Sequence, residues 1–143
     1  MTHSVTEFTR FYNSPFSYWC SKTNKLVKEK KIDDKYKIEI DASKLTSKQL
    51  LAKAQEHEVV LKDKYRISEQ LNVVDMSNKE STNQVFLDEL ERKPDVIFQP
   101  HILSKDFVGR LDFIRIVDDD LHIIDAKLSS SIKEVNVVKL CAY

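Results

Sequence analysis

Asp112, Asp125 and Lys127 are the residues of this chain whose types and spacing best suit chemistry. Side chains alternate across a strand, so in the run Ile123-Ile-Asp-Ala-Lys127 the Asp125 carboxylate and the Lys127 ammonium point the same way as Leu121 and Ile123. On the preceding apolar run, Asp112 shares a face with Val108, Ile114 and Ile116. A hairpin turning at Asp118-Asp119 would pair Ile116 with Leu121, Ile114 with Ile123, Asp112 with Asp125 and Arg110 with Lys127. Directly opposed side chains lie about 5 Å apart, where like charges destabilise a sheet. A divalent cation removes that conflict, because coordination by hard oxygens turns the repulsion into binding. The neighbouring lysine would orient or deprotonate a water, or stabilise charge developing on a phosphate. A lone Asp-x-Lys reads more simply as a surface ion pair; Asp112 at matching height is what favours a site.

An upstream helix supplies a second group of candidates. From Ser43 to about Arg66 the residues Leu50, Leu51, Ala54, Leu61 and Tyr65 recur at helical spacing, with Thr46 or Ser47 able to cap the start. At about 100° per residue, His57 and Glu58 fall on the two flanks of that apolar stripe. A histidine beside an apolar face is more often a satisfied core residue than a ligand. His and Glu together need polar partners there, and they are candidates to complete a metal shell.

The elements that must position these groups follow from pattern. Residues 4–30 read as a helix interrupted near Asn13-Ser14-Pro15 and crowded with Phe8, Phe11, Tyr12, Phe16, Tyr18 and Trp19. Aromatics this dense are expected in the core, ahead of a stacking surface for bases. Residues 36–40 alternate like a short strand, and a further helix is expected from about Asn78 to Arg92, stopped by Pro94. Val96–Leu103, Phe107–Val117 and Leu121–Leu128 are three β-rich runs, read as a meander. Ser131-Ile-Lys-Glu134 has the form of a capping box opening a last helix that reaches Tyr143.

Composition bounds the answer. The chain has 143 residues, 41% hydrophobic and 32% charged, which suits one modest core rather than a disordered chain or two domains. One glycine and three prolines leave little room for the many tight turns of an all-β sandwich. The net charge is zero, so a generally basic nucleic-acid binder is not indicated by the total. Locally, seven lysines between Lys22 and Lys37 face Glu29, Asp33 and Asp34. Such a run is usually a solvated surface, although it also suits a phosphate backbone. Cys20 and Cys141 lie far apart and form no zinc or iron–sulfur ligand set by themselves. No stretch approaches the roughly 18 apolar residues of a membrane span, so free thiols in a cytoplasmic setting are the expectation.

Taken together, Gly109-Arg-Leu-Asp112 and Ile123-Ile-Asp-Ala-Lys127 resemble the PD-(D/E)XK nuclease superfamily, in particular its RecB-like branch. That branch includes CRISPR-associated exonucleases and nucleases fused to helicases. Lys139-Leu-Cys-Ala-Tyr143 is similar to the family's Gln-Leu-x-x-Tyr helix motif, with lysine in place of glutamine. His57-Glu58 resembles its histidine-containing helix motif, and Asp95-Val-Ile-Phe-Gln99 the strand before the metal aspartate. Pro94-Asp95 is set aside as a decoy, since it precedes the hairpin that carries the site. The resemblance implies an α/β, restriction-endonuclease-like core in which helices flank a small mixed sheet with a three-stranded meander. It divides a single domain into a helical and basic segment, residues 1–42, and a core, residues 43–143, expected to stop before the family's last strand. It also implies Mg²⁺- or Mn²⁺-dependent hydrolysis of DNA phosphodiesters, without an iron–sulfur cluster. Asp112 and Asp125 would hold the metal with the Ala126 carbonyl and His57 or Glu58, and Lys127 would be the catalytic lysine. Lys139, Tyr143 and Gln99 would contact substrate, and a helicase or other domain would follow in the parent protein. The alternatives are a catalytically impaired nucleic-acid-binding or regulatory module of the same fold, and a helical interaction protein.

Overall fold

Ser4 and Ser14 set the first two helices. In the computed structural model, which describes residues 3–39, 47–80 and 82–143, Ser4 Oγ accepts the Thr6 N–H at 3.2 Å and opens α1 (Val5–Asn13). Ser14 closes α1 by donating its N–H to the Arg10 carbonyl at 3.0 Å, and opens α2 (Pro15–Lys28) by accepting the Ser17 N–H on Oγ at 3.1 Å. Pro15, with no N–H to satisfy and φ already preset, suits the first turn of α2. The interrupted helix is therefore as expected, but its aromatics are not. Phe16 is 72% and Trp19 56% exposed, and Phe11 and Tyr12 also lie open. Nor do residues 37–39 form a strand. Asp34–Tyr36 make a 3₁₀ turn, and the Ile38 backbone is taken up by the Asn24 side chain, which donates to its carbonyl at 2.9 Å and accepts its N–H at 2.8 Å. Ile40, like the predicted helix start from Ser43 to Thr46, lies outside the described residues.

Helix α3 (Ser47–Asp63) runs into a π-type turn, Lys64–Ser68. Helix α4 (Asn83–Glu91) begins later than expected because Thr82 Oγ1 caps it, accepting the Val85 N–H at 3.2 Å. The strands are β1 (His3–Ser4), β2 (Val73–Asp75), β3 (Val96–Phe98), β4 (His101–Leu103), β5 (Phe107–Arg110), β6 (Phe113–Val117) and β7 (Asp120–Ile124). They form two mixed sheets, ordered β2-β3-β6-β7 and β1-β5-β4. The fold is thus mixed α/β, with more sheet than a single three-stranded meander. No helix among the described residues is long and apolar enough to cross a membrane.

Strand β3 is the centre of the core, buried on both faces like a strand covered by helices on each side. Val96 and Phe98 pack with Tyr65 and Phe113, backed by Leu61 at the end of α3. On the other face Ile97 packs with Met76, Leu111 and Ile114, backed by Val85, Phe86 and Leu90 of α4. Phe113, fully buried, meets Phe98 at 5.1 Å and Tyr65 at 5.7 Å between ring centroids.

The two sheets share one long hairpin. β3 pairs with β6 through Phe98 and Phe113, and β4 pairs with β5 through His101 and Arg110, in a register that stays continuous across the gap between them. Inside the gap the Gln99 N–H donates to the Asp112 carbonyl at 2.9 Å and the Leu111 N–H to the Pro100 carbonyl at 3.0 Å. What breaks the strands is local chemistry. Pro100 has no ladder donor, and Gln99 turns into the left-handed region at φ 50°. Leu111 and Ile114 lie in the same cluster although three residues apart, so alternation lapses at Asp112. The expected shared face of Val108, Asp112, Ile114 and Ile116 is lost with it, since Val108 belongs to the other sheet.

The β6–β7 hairpin turns where the sequence places it. Asp118 and Asp119 adopt φ 50° and 67°, the mirror-image turn that fits the twist of a two-residue hairpin. Asp tolerates this conformation without an Asn-Gly pair. The ladder pairs Ile116 with Leu121 and Ile114 with Ile123, as expected, and ends at Phe113 with Ile124. Leu121 and Ile123 are not core-facing: they are 49% and 38% exposed, and Ile124 packs inward instead. The last helix, α5 (Glu134–Cys141), starts after Lys133 with no side-chain cap, so Ser131 caps nothing. Ser129 Oγ bonds the Ser131 carbonyl, and Glu134 is engaged by the Tyr12 hydroxyl of α1.

Candidate active site

Asp112 and Asp125 meet where the β6–β7 ladder stops. The next pair in register would be these two aspartates. In place of a ladder bond, Asp112 Oδ2 accepts the Ala126 N–H at 2.7 Å, which fixes the Asp112 carboxylate beside the end of β7. Arg110 and Lys127 do not pair, because Arg110 is held opposite His101 in the other sheet. Lys127 folds back instead. Its Nζ lies 2.5 Å from Asp125 Oδ2 and 4.0 Å from Asp112 Oδ2, and it donates to the Ala126 carbonyl at 3.3 Å. Lys139 enters from α5 and places Nζ 2.6 Å from Asp125 Oδ1. The Asp125 side chain is 5% exposed and that of Asp112 14%, so both carboxylates are largely removed from water.

The electrostatics separate the two acids. Burial, then repulsion from Asp125 and Glu58, pushes the Asp112 carboxyl up to about 6 against the pull of Lys139 and Lys127. Burial acts on Asp125 in the same direction, but the bonds to Lys127 and Lys139 outweigh it and hold this carboxyl below the ordinary range. Lys139 is raised, since its contact with Asp125 overcomes the burial that would otherwise favour the neutral amine. One acid is thus a fixed anion, and its neighbour takes up a proton near neutrality. A pair of carboxylates driven apart in this way is a common mark of a functional site.

Gln99 ties the site to α3. Its backbone N–H holds the Asp112 carbonyl and its Nε2 donates to Glu58 Oε2 at 3.0 Å. Of the two helix candidates it is therefore Glu58 that the structure brings towards the carboxylates. His57 is half-buried, and among the described residues no hydrogen bond or ion pair links it to them. Gln99, expected at the substrate, is a strut between helix and hairpin, held in a conformation that costs a non-glycine residue on the order of 1 kcal/mol. Lys139, also expected at the substrate, neutralises Asp125.

Tyr143 is placed by Gly109. Its hydroxyl donates to the Arg110 carbonyl at 2.9 Å, and a Cβ on residue 109 would stand 2.5 Å from Tyr143 Cε1. The chain's one glycine therefore makes room for this ring. Asp95 accepts the Asn72 N–H at 2.7 Å just ahead of β3.

Sequence reasoning missed the Gln99–Glu58 link, the Lys139–Asp125 ion pair and the Gly109–Tyr143 contact. Each joins distant positions. Only Pro100, a proline inside an apolar run, carried a local sign of the break.

The donor set suits a hard divalent ion. Two carboxylates, the Ala126 carbonyl and Glu58 are all oxygen ligands. Asp125 Oδ2, though in ion-pair range of Lys127, is a buried atom without a hydrogen-bonding partner of proper geometry. Among the described residues, no three His, Cys, Asp or Glu side chains converge closely enough to hold an ion by themselves. The Lys127 and Lys139 ammonium groups lie against the carboxylates. Comparison with protein-family models, with curated proteins and with solved structures finds no match.

Proposed function

We propose that this chain is a RecB-like nuclease domain of restriction-endonuclease-like architecture that hydrolyses DNA phosphodiester bonds with Mg²⁺ or Mn²⁺. The observation that carries this reading is the hairpin register, which brings Asp112 beside Asp125, with Lys127 folding back from the same hairpin end and Lys139 reaching Asp125 from α5. A bound divalent ion supplies activation of water and neutralisation of phosphate charge. Asp125, ionised at all ordinary pH values, and Asp112, ionised above about 6, are the anionic ligands, with the Ala126 carbonyl and Glu58 beside them. Lys127 is more exposed than Lys139 and is the ammonium able to swing from Asp125 to an incoming phosphate oxygen. Lys139 stays on Asp125 as a positioning residue, and Tyr143 holds the hairpin end through the Arg110 carbonyl.

One observation favours a second reading, a non-cleaving nucleic-acid-binding module of the same fold. Lys139 stands where the family motif has glutamine, and its ammonium is fixed 2.6 Å from a carboxylate oxygen that a metal would need. Incubation of the protein with end-labelled DNA and Mn²⁺ decides between them. Cleavage that is lost in Asp125→Ala and Lys127→Ala supports the nuclease. DNA binding without cleavage supports the second reading, and neither DNA binding nor cleavage overturns both.

A further inference from the structure

Helix α2 carries a row of side chains that the site does not use. Phe16, Trp19, Lys22, Lys25 and Lys28 follow one another three residues apart, and all five are exposed. Residues at this spacing form a row inclined to the helix axis, each side chain turned about 60° from the one before, so the five sweep about 240° around α2. At 1.5 Å per residue the row rises about 18 Å along the axis. Its first part is a platform: the Phe16 and Trp19 rings stack with centroids 6.0 Å apart and an interplanar angle of 28°. Its second part is cationic: α2 contains no acidic residue, and Glu29 just past its end is engaged by Lys31 while also facing Lys25 and Lys22. Lys22 has Glu7 at 3.8 Å, an exposed pair that water screens and a phosphate can displace.

We infer that this ridge is a binding site for an unpaired polynucleotide strand, with bases stacking on Phe16 and Trp19 and the following phosphates lying along Lys22, Lys25 and Lys28. Stacked aromatics beside a basic track are what a single strand requires, because each base offers a π-face whatever its sequence. A protein partner is the poorer fit, since the buried centres of protein interfaces are depleted in lysine. The nuclease reading gives the inference its biological sense, but the ridge is tested independently of it.

Trp19 is the chain's one tryptophan, so its fluorescence reports on the platform directly. The intact protein, kept in EDTA to prevent cleavage, is titrated with a 20-nucleotide oligo-dT, with oligo-rU of equal length and with a blunt duplex. Stacking should quench Trp19 with dT, with rU or with both, and more weakly with duplex; the two single-strand arms separate DNA from RNA. Phe16→Ala and Trp19→Ala should each weaken anisotropy-detected binding about tenfold, while Trp19→Phe largely restores it. Lys25→Ala with Lys28→Ala should lower the slope of log affinity against log salt by about 1.4. Unchanged Trp19 emission, or wild-type affinity in both alanine variants, overturns the inference. So does a protein dimer that Trp19→Ala dissolves while oligo-dT leaves the emission unaltered. Quenching without Mn²⁺-dependent cleavage would sink the nuclease reading and leave the ridge standing; cleavage without quenching would do the reverse.

Discussion

The carboxylate pair and the α2 ridge are built on opposite principles. At the pair nearly every polar atom has a partner within the chain, and the groups come from α3, the segments just past the ends of β3, β5 and β7, and α5. On the ridge the groups come from one helix, lie in water and depend on little but the helix itself. A site of the first kind is inseparable from stability. A surface of the second kind can be altered without touching the fold. The difference predicts that damage to the pair and damage to the ridge will register in different measurements.

The largest effect should come from Asp125→Ala, which strips the exposed Lys127 and the partly buried Lys139 of their shared, buried anion. Breaking a fully buried ion pair from one side costs about 3–5 kcal/mol; with Lys127 open to water, urea unfolding should shift by about 2–3 kcal/mol while cleavage disappears. A loss below about 1 kcal/mol would show that the pair is not part of the core.

Asp112→Asn should act in the other direction. The folded chain binds this proton at about 6 and the unfolded chain near 3.8, so between these values the folded state holds the extra proton. Stability from this group therefore falls as pH rises through that window and stays low above it. The asparagine variant, which keeps an acceptor for the Ala126 N–H, should gain on the order of 2 kcal/mol at pH 7–8 and nothing below about pH 4. Equal gains at both pH values would break the assignment.

A smaller effect is expected at Gly109. An alanine there must displace the Tyr143 ring, at a cost of about 1–2 kcal/mol, and Gly109→Ala combined with Tyr143→Ala should cost less than the two single losses together. Additive losses would mean that the ring is not seated on residue 109. Smallest of all, Phe16→Ala and Trp19→Ala should leave the free energy of urea unfolding within about 0.5 kcal/mol of the parent. A marked drop would make these aromatics a packing feature and end the contrast.

What could be read from the sequence divides in the same way. The helix break at Ser14-Pro15, the turn at Asp118-Asp119 and the β6–β7 register all follow from short-range rules, and the last two bring Asp112 and Asp125 together. The capping box at Ser131 and the strand over 36–40 were equally local; the box did not form, and residues 36–39 are not in a strand. Side-chain and backbone partners elsewhere, the Tyr12 hydroxyl for Glu134 and Asn24 for Ile38, took up those residues. The choice of Glu58 over His57 depended on Gln99 in a left-handed conformation, which no spacing rule anticipates. The exposure of Phe16 and Trp19 was hidden for a different reason: density of aromatics says how much apolar area exists, not which side of a helix is covered.

Pro100 and Gln99 have a consequence beyond interrupting a ladder. Asp112 lies in the break itself and belongs to neither sheet, while Asp125 stands just past the end of β7. The two carboxylates therefore meet at the joint between the sheets, held together by the Ala126 N–H that Asp112 accepts, as a catch sits at the pivot of a pair of tongs. α1, whose β1 extension pairs with β5, rides on one arm and α3 covers the other, while α4 spans both, packing on Ile97 and bonding the Leu103 backbone through Asn83. With α4 braced across the pivot, the joint is held at one opening and the carboxylate spacing with it.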